Sequence, residues 1–349
     1  MRPSRVRQLL EREFLAGLRG VHTPVMLWGP PGVGKSQLVA QVAAAHSAAM
    51  IDIRLAQMEP TDLRGIPFRE GSDVVWSTPS LLPRESRDGN RGILFLDEIT
   101  SAPATVTAAA YQLILDRRLG GYRVPEGWAI VAAGNRLGDR GVTYQMPAPL
   151  ANRFAHFEVE PDIDDWVVWA HAQEIDPRLV AFLRFRPDLL FSFDPARATA
   201  AFPTPRSWEM VAILSGWITA CDLEASVRRV AVMGCVGAGP AAEYITYREN
   251  IDLPNPEEII ADPKNFVLPN RMDKIYVIGA SLMAVLRNQM TLERWESVGV
   301  VLERIASGGH PDLAVTFARD WLRERPKGAM PDPALLKSLI PLLTEAKMI

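Results

Sequence analysis

The stretch Gly29-Pro30-Pro31-Gly32-Val33-Gly34-Lys35-Ser36 constrains this chain more than any other. It fits G-x-x-x-x-G-K-[ST], a loop that wraps phosphates between a buried strand and a helix. Val25-Met26-Leu27-Trp28 before it reads as the strand, and Gln37 to Ala45 after it as the helix. The glycines let backbone N–H groups turn inward around an anion, and the helix N-terminus adds partial positive charge. Lys35 is placed to reach β- and γ-phosphates and Ser36 to ligate Mg²⁺. The candidate nucleotide-binding set is Gly29, Pro30, Pro31, Gly32, Val33, Gly34, Lys35, Ser36 and Gln37.

The apolar run Ile93-Leu94-Phe95-Leu96 ends in Asp97-Glu98, the pattern of a buried parallel strand closed by carboxylates. At the C-terminal end of such a strand they stand beside the phosphate loop. Asp97 suits the water shell of Mg²⁺, and Glu98 suits polarising an attacking water. Asn135, after the buried run Trp128 to Ala133, could orient that water or simply form a turn. Arg153 and Arg206 stand before a strand and at the start of a helix. Residue physics alone does not separate them from other surface arginines.

Met50 to Leu55 and Ala155 to Val159 complete a set of strands alternating with helices. Residues 65–78 and the turn at Gly120-Gly121 each carry a hairpin signal. After Pro161 only helices are expected: Asp162 to Glu174, Pro177 to Leu190, Pro205 to Thr219 and Leu223 to Tyr244. A Pro- and Asp-rich stretch, Asp252 to Asn270, then separates these from Asp273 to Asn288, Thr291 to Ala306, Pro311 to Glu324 and Pro333 to Lys347. Leu313, Phe317, Trp321 and Leu322 form an apolar stripe read as core packing. The expected fold is a three-layer α/β P-loop NTPase domain with a parallel sheet, followed by an all-α lid and a helical C-terminal region. The expected boundaries are 1–160, 161–251 and 252–349.

An apolar content of 48% supports real cores, and the net charge of −3 implies no global nucleic-acid surface. Cys221 and Cys235 form no C-x-x-C pair, so no zinc site is suggested. No apolar run reaches about 18 residues and the N-terminus is no signal peptide, so a cytoplasmic protein without membrane contact is expected.

Together these motifs resemble the AAA+ ATPases, and within them the MoxR-like group of the helix-2-insert clade, over roughly residues 20–250. Gly29 to Ser36 looks like Walker A, Leu94 to Glu98 like Walker B, and Asn135 like the sensor-1 residue. Arg153, in Leu150-Ala151-Asn152-Arg153-Phe154, matches the arginine-finger position, and Arg206 the sensor-2 arginine. Glu59 to Pro67 with Val75-Trp76 is similar to the insert that marks the clade. The resemblance implies an ATP hydrolase using Mg²⁺, with Glu98, Asn135, Arg153 and Arg206 as catalytic residues and Ser36 and Asp97 at the metal. It implies a ring, usually a hexamer, with Arg153 reaching a neighbour's γ-phosphate. It further implies a chaperone-like remodeller of a protein partner, commonly one with a von Willebrand factor A domain. Arg136 and Arg140 compete for the finger role, and no aromatic–Val–Gly pore loop is present. A nucleic-acid-dependent motor is an alternative, kept open by Arg117, Arg118 and Arg123 around the second hairpin, and a nucleotide-gated scaffold with little turnover is another.

Overall fold

Continuous apolar strands, whose successive residues go to opposite faces, build a sheet with a core on each face. In the computed structural model, residues 1–136, 138–139, 144, 146–194, 200–220, 224–251, 253–326 and 329–330 are described. Arg140, Cys221, Leu223 and the expected helix Pro333 to Lys347 lie outside the described residues. The chain divides into two compact units: Met1–Trp166 with Phe191–Met210, and Val167–Leu190 with Val211–Ile349.

The first unit begins with α1 (Pro3–Gly17), β1 (Val25–Trp28), α2 (Lys35–Ala45), β2 (Ala49–Arg54) and α3 (Pro60–Arg64). The hairpin β3 (Pro67–Glu70) and β4 (Asp73–Trp76) follows, then α4 (Glu85–Asp88), β5 (Arg91–Asp97) and α5 (Ala104–Asp116). A second, short hairpin, β6 (Arg118–Leu119) and β7 (Tyr122–Arg123), leads to β8 (Gly127–Gly134), α6 (Ala148–Ala151) and β9 (Ala155–Glu158). The five long strands form a parallel sheet in the order β2-β5-β8-β1-β9. Successive residues of β5 go to opposite faces. Ile93 and Phe95 join a core with Val6, Leu10 and Phe14 of α1 and Leu38, Val39 and Val42 of α2. Leu94 and Leu96 join the other with Val106, Ala110 and Leu113 of α5. Three layers result, as expected.

The helical region contains α7 (Ile163–Ala172), α8 (Pro177–Phe185), α9 (Pro205–Ala220), α10 (Ala225–Val236), α11 (Ala238–Asn250) and α12 (Pro256–Ala261). Further along are α13 (Met272–Asn288), α14 (Leu292–Ser307) and α15 (Pro311–Arg323). Two expectations are corrected here. The single helix expected up to Tyr244 is two, broken at Gly237, whose φ of 85° ends α10 in a conformation that glycine adopts without strain. The expected separator at 252–270 holds α12, with Pro256 in its first turn and the Asn255 side chain accepting from the Glu257 N–H.

Within the second unit, Leu313, Phe317 and Trp321 are fully buried, as the stripe implied, whereas Leu322 is half-buried. Trp321 stacks on Trp295 of α14 with ring centroids 4.2 Å apart and planes 8° from parallel. Each indole N–H donates to the other residue's carbonyl, at 2.9 Å and 2.8 Å. Among the described residues no helix is long and apolar enough to cross a membrane.

Candidate nucleotide site

Parallel strands bring their C-terminal ends to one edge of the sheet. Trp28 pairs with Gly134 and Leu96 with Ala132, so the ends of β1, β8 and β5 lie level. The loop 29–34, Asn135 and Asp97 therefore meet, although they are distant in sequence. The Lys35 ammonium donates to the Gly29 and Pro30 carbonyls, at 2.6 Å and 3.0 Å, and to Asn135 Oδ1 at 3.1 Å. Ser36 Oγ donates to Asp97 Oδ2 at 3.0 Å. The other Asp97 oxygen accepts the Glu98 N–H at 2.9 Å. Glu98 takes a left-handed backbone, φ 57°, which turns the chain out of β5 and leaves its carboxylate exposed at this edge. Asn135 is held from behind by Thr100, whose hydroxyl accepts the Asn135 N–H at 3.2 Å.

The start of α9 completes the cradle. The Arg206 N–H donates to the Gly32 carbonyl at 3.2 Å, and the Gln37 amide to Glu209 at 3.1 Å. Thr204 and Ser207 cap α9 reciprocally, each hydroxyl accepting the other's backbone N–H, at 3.0 Å and 2.8 Å. Gly32 has φ 80°, and a Cβ there would lie 2.7 Å from Thr204 Oγ1. Only glycine meets both demands.

Burial is the main influence on Lys35, lowering its pKa from the usual 10.5 to about 8. Asp97 and Asp139 oppose that shift, whereas Arg206 and Arg136 add to it. Asp139 is buried and holds Arg136, with a 2.9 Å bond to its N–H and 3.3 Å and 3.4 Å bonds to its guanidinium. Arg136 also lies 3.8 Å from Glu158. Asp139 is thus a neighbour of the site that motif reading missed, since only the fold brings it to Lys35.

Arg153 is not brought to this loop. It lies exposed before β9, at the edge of the sheet where Val25 pairs with Ala155. The length of β1, about 10 Å at ~3.3 Å per residue, separates that edge from the phosphate loop.

Residues 24–154 match the family described as AAA domain (dynein-related subfamily). Residues 24–154 of the α/β unit are thus similar to an AAA domain, in line with the MoxR-like AAA+ resemblance of the motifs. Over 97 residues it is 35% identical to Protein NorQ of Paracoccus denitrificans (strain Pd 1222). That match covers 28% of this chain and 35% of the length of NorQ. The RuvB Holliday junction branch migration motor of Thermotoga maritima aligns over 97% of this chain and 94% of its own, at 16% identity and a TM-score of 0.39. A crystal structure of a putative ATPase from Cytophaga hutchinsonii aligns over 44% and 46%, at 17% identity and a TM-score of 0.34. At those scores the likenesses carry nothing about function.

Proposed function

We propose that this chain is a Mg-ATP-dependent ATPase that works as a cytoplasmic ring, usually a hexamer, to remodel a protein partner. The observation that carries the ATPase reading is the convergence of Lys35, Ser36, Asp97, Asn135 and the start of α9 on one sheet edge. Gly29 to Gln37 would enclose the phosphates, with Lys35 exchanging its loop carbonyls for phosphate oxygens. Ser36 and Asp97 offer the hard oxygen donors that Mg²⁺ takes. Among the described residues no three His, Cys, Asp or Glu side chains gather as a metal site, so the ion would depend on the nucleotide's own phosphates. Bound there, Mg²⁺ would neutralise charge on the phosphates. Glu98 would take the proton of the attacking water, Asn135 would orient that water, and Arg206 would face the phosphates from α9.

Arg153 precedes β9 at the end of β1 opposite its own loop. It would act on the site of a neighbouring protomer, which makes assembly a condition of turnover. The division at 1–160, 161–251 and 252–349 is kept as the functional one: nucleotide domain, lid and helical extension.

The β3–β4 hairpin favours a protein as the partner. Ile66, Phe68, Val74 and Trp76 are exposed on it, and its tip pairs Glu70 with Asp73. Apolar flanks suit a protein surface, and an acidic tip repels a phosphate backbone. A von Willebrand factor A domain would be such a partner. The motor alternative keeps one observation, the exposed Arg118 and Arg123 directly opposite each other in the second hairpin. Arg117 no longer counts towards it, because its guanidinium caps the Pro125 and Trp128 carbonyls, at 2.8 Å and 2.7 Å.

ATPase rate measured against protein concentration, with and without single-stranded or duplex DNA, tests the reading. Specific activity is expected to rise with concentration and to ignore DNA. A rate independent of concentration would overturn the shared site. Stimulation by DNA that disappears at high salt would install the motor instead.

The lowered Lys35 pKa gives a further expectation. A lysine whose folded pKa lies below its unfolded value weighs against folding while charged. That penalty is full below about pH 8 and fades as pH rises towards 10.5. Nucleotide binding has the opposite sign, because phosphates hold the proton on the amine. ATP affinity is therefore expected to fall above about pH 8, with proton uptake on binding there. Calorimetry in buffers of different ionisation enthalpy reads that uptake, and an affinity constant from pH 8 to 10 would contradict it.

A further inference from the structure

Four arginines of the second unit surround one small cavity. Arg178 comes from α8, Arg228 and Arg229 from α10, and Arg248 from α11, with Tyr244 forming part of the wall. The cavity measures about 190 Å³. Its countercharges are few. Asp176 binds the Arg178 guanidinium through two hydrogen bonds, at 3.1 Å and 2.9 Å, and lies 4.0 Å from Arg248. Glu249 lines the cavity too, but is exposed. Among the described residues, Arg228 and Arg229 pair with no carboxylate. Arg228 Nε and Arg248 Nη1 are buried and have no hydrogen-bond partner.

A buried guanidinium N–H without an acceptor is costly, more so than a neutral donor. Two of them on one cavity, with four positive charges set against two carboxylates, describe a place shaped for an anion. Guanidinium groups match the geometry of phosphate oxygens and bind them through paired N–H donors. The volume lies below the roughly 300–1,000 Å³ usual for pockets that enclose drug-sized ligands, so a whole nucleotide is too large.

We propose that the cavity between α8, α10 and α11 binds a compact phosphate-bearing anion, the size of inorganic phosphate or diphosphate, through Arg228, Arg229 and Arg248. Arg178 is already committed to Asp176 and contributes charge. The site is distinct from the phosphate loop, since every residue that lines it belongs to the helical unit. Filling it would tie three helices together through one ligand.

The test is calorimetric titration of the full chain with inorganic pyrophosphate. A Lys35→Ala background removes the phosphate loop's own affinity for the probe. One equivalent is expected to bind in that background at physiological salt. Adding Arg228→Gln and Arg248→Gln should weaken binding at least tenfold. Arg229→Gln changes an exposed side chain and should weaken it several-fold without disturbing packing, which keeps the test decisive if the double change prevents folding. Absence of binding by the Lys35→Ala chain would overturn the proposal. So would binding that all the arginine variants retain, or binding that vanishes on raising salt to physiological strength, the mark of diffuse surface attraction.

Discussion

A Glu98→Gln chain is expected to hold ATP as tightly as its parent and to hydrolyse it on the order of 10²–10⁴-fold more slowly. The expectation rests on where Glu98 stands. Asp97 ends β5 and is engaged by Ser36 and by the Glu98 N–H. The next residue turns through a left-handed backbone and presents a free carboxylate at the edge where the phosphates would lie. Glutamine keeps the size of the side chain and loses only the ability to take a proton. Binding to a fluorescent ATP analogue and single-turnover hydrolysis separate the two properties. Normal turnover in the variant would dismiss Glu98 as the base.

Arg153→Ala is expected to leave ATP binding intact and to slow hydrolysis in the assembled ring by roughly 10³-fold or more. Its signature is rescue by mixing. An Arg153→Ala protomer retains a complete phosphate loop, and a Lys35→Ala protomer retains Arg153. Neither turns over alone, but together they form composite sites with both parts, so the mixture should recover measurable activity. Arg136, bound to Asp139 and close to Glu158, should not behave this way. If Arg136→Ala is the variant rescued in trans, the finger belongs there.

The strands of the α/β unit were legible because buried parallel strands are continuous apolar runs with abrupt polar ends. Val25 to Trp28, Ile93 to Leu96 and Trp128 to Ala133 all lie within strands of the central sheet. The helical region was harder to divide. Leu223 to Tyr244 reads as one helix although Gly234, Gly237 and Gly239-Pro240 punctuate it, and it is Gly237, at φ 85°, that makes the break. The short helix at 256–261 was hidden in a Pro-rich stretch, although Asn255-Pro256 is a sound start signal.

Within the candidate site, the residues were readable as motifs but their mutual support was not. Lys35 and Asn135 are 100 positions apart, and only the strand order joins them. The fit of Thr204 against Gly32 depends on a helix that returns to the loop much later in the chain. Asp139 resembles any turn aspartate until the fold buries it beside the lysine. Arg117, counted by sequence among basic hairpin residues, proved to be a cap for backbone carbonyls.

The indole pair of the second unit carries a consequence for how this chain can change over generations. Trp295 and Trp321 each satisfy the other's carbonyl while sharing one stacked surface. Replacing either removes the stack and the indole donor to the survivor's main-chain carbonyl, while the survivor's own N–H keeps its acceptor, the newcomer's main-chain carbonyl. The first substitution therefore loses the stack and one of the two hydrogen bonds, and the second loses the other. The shared surface is lost once, with the first change, so the two positions are expected to be kept or exchanged together.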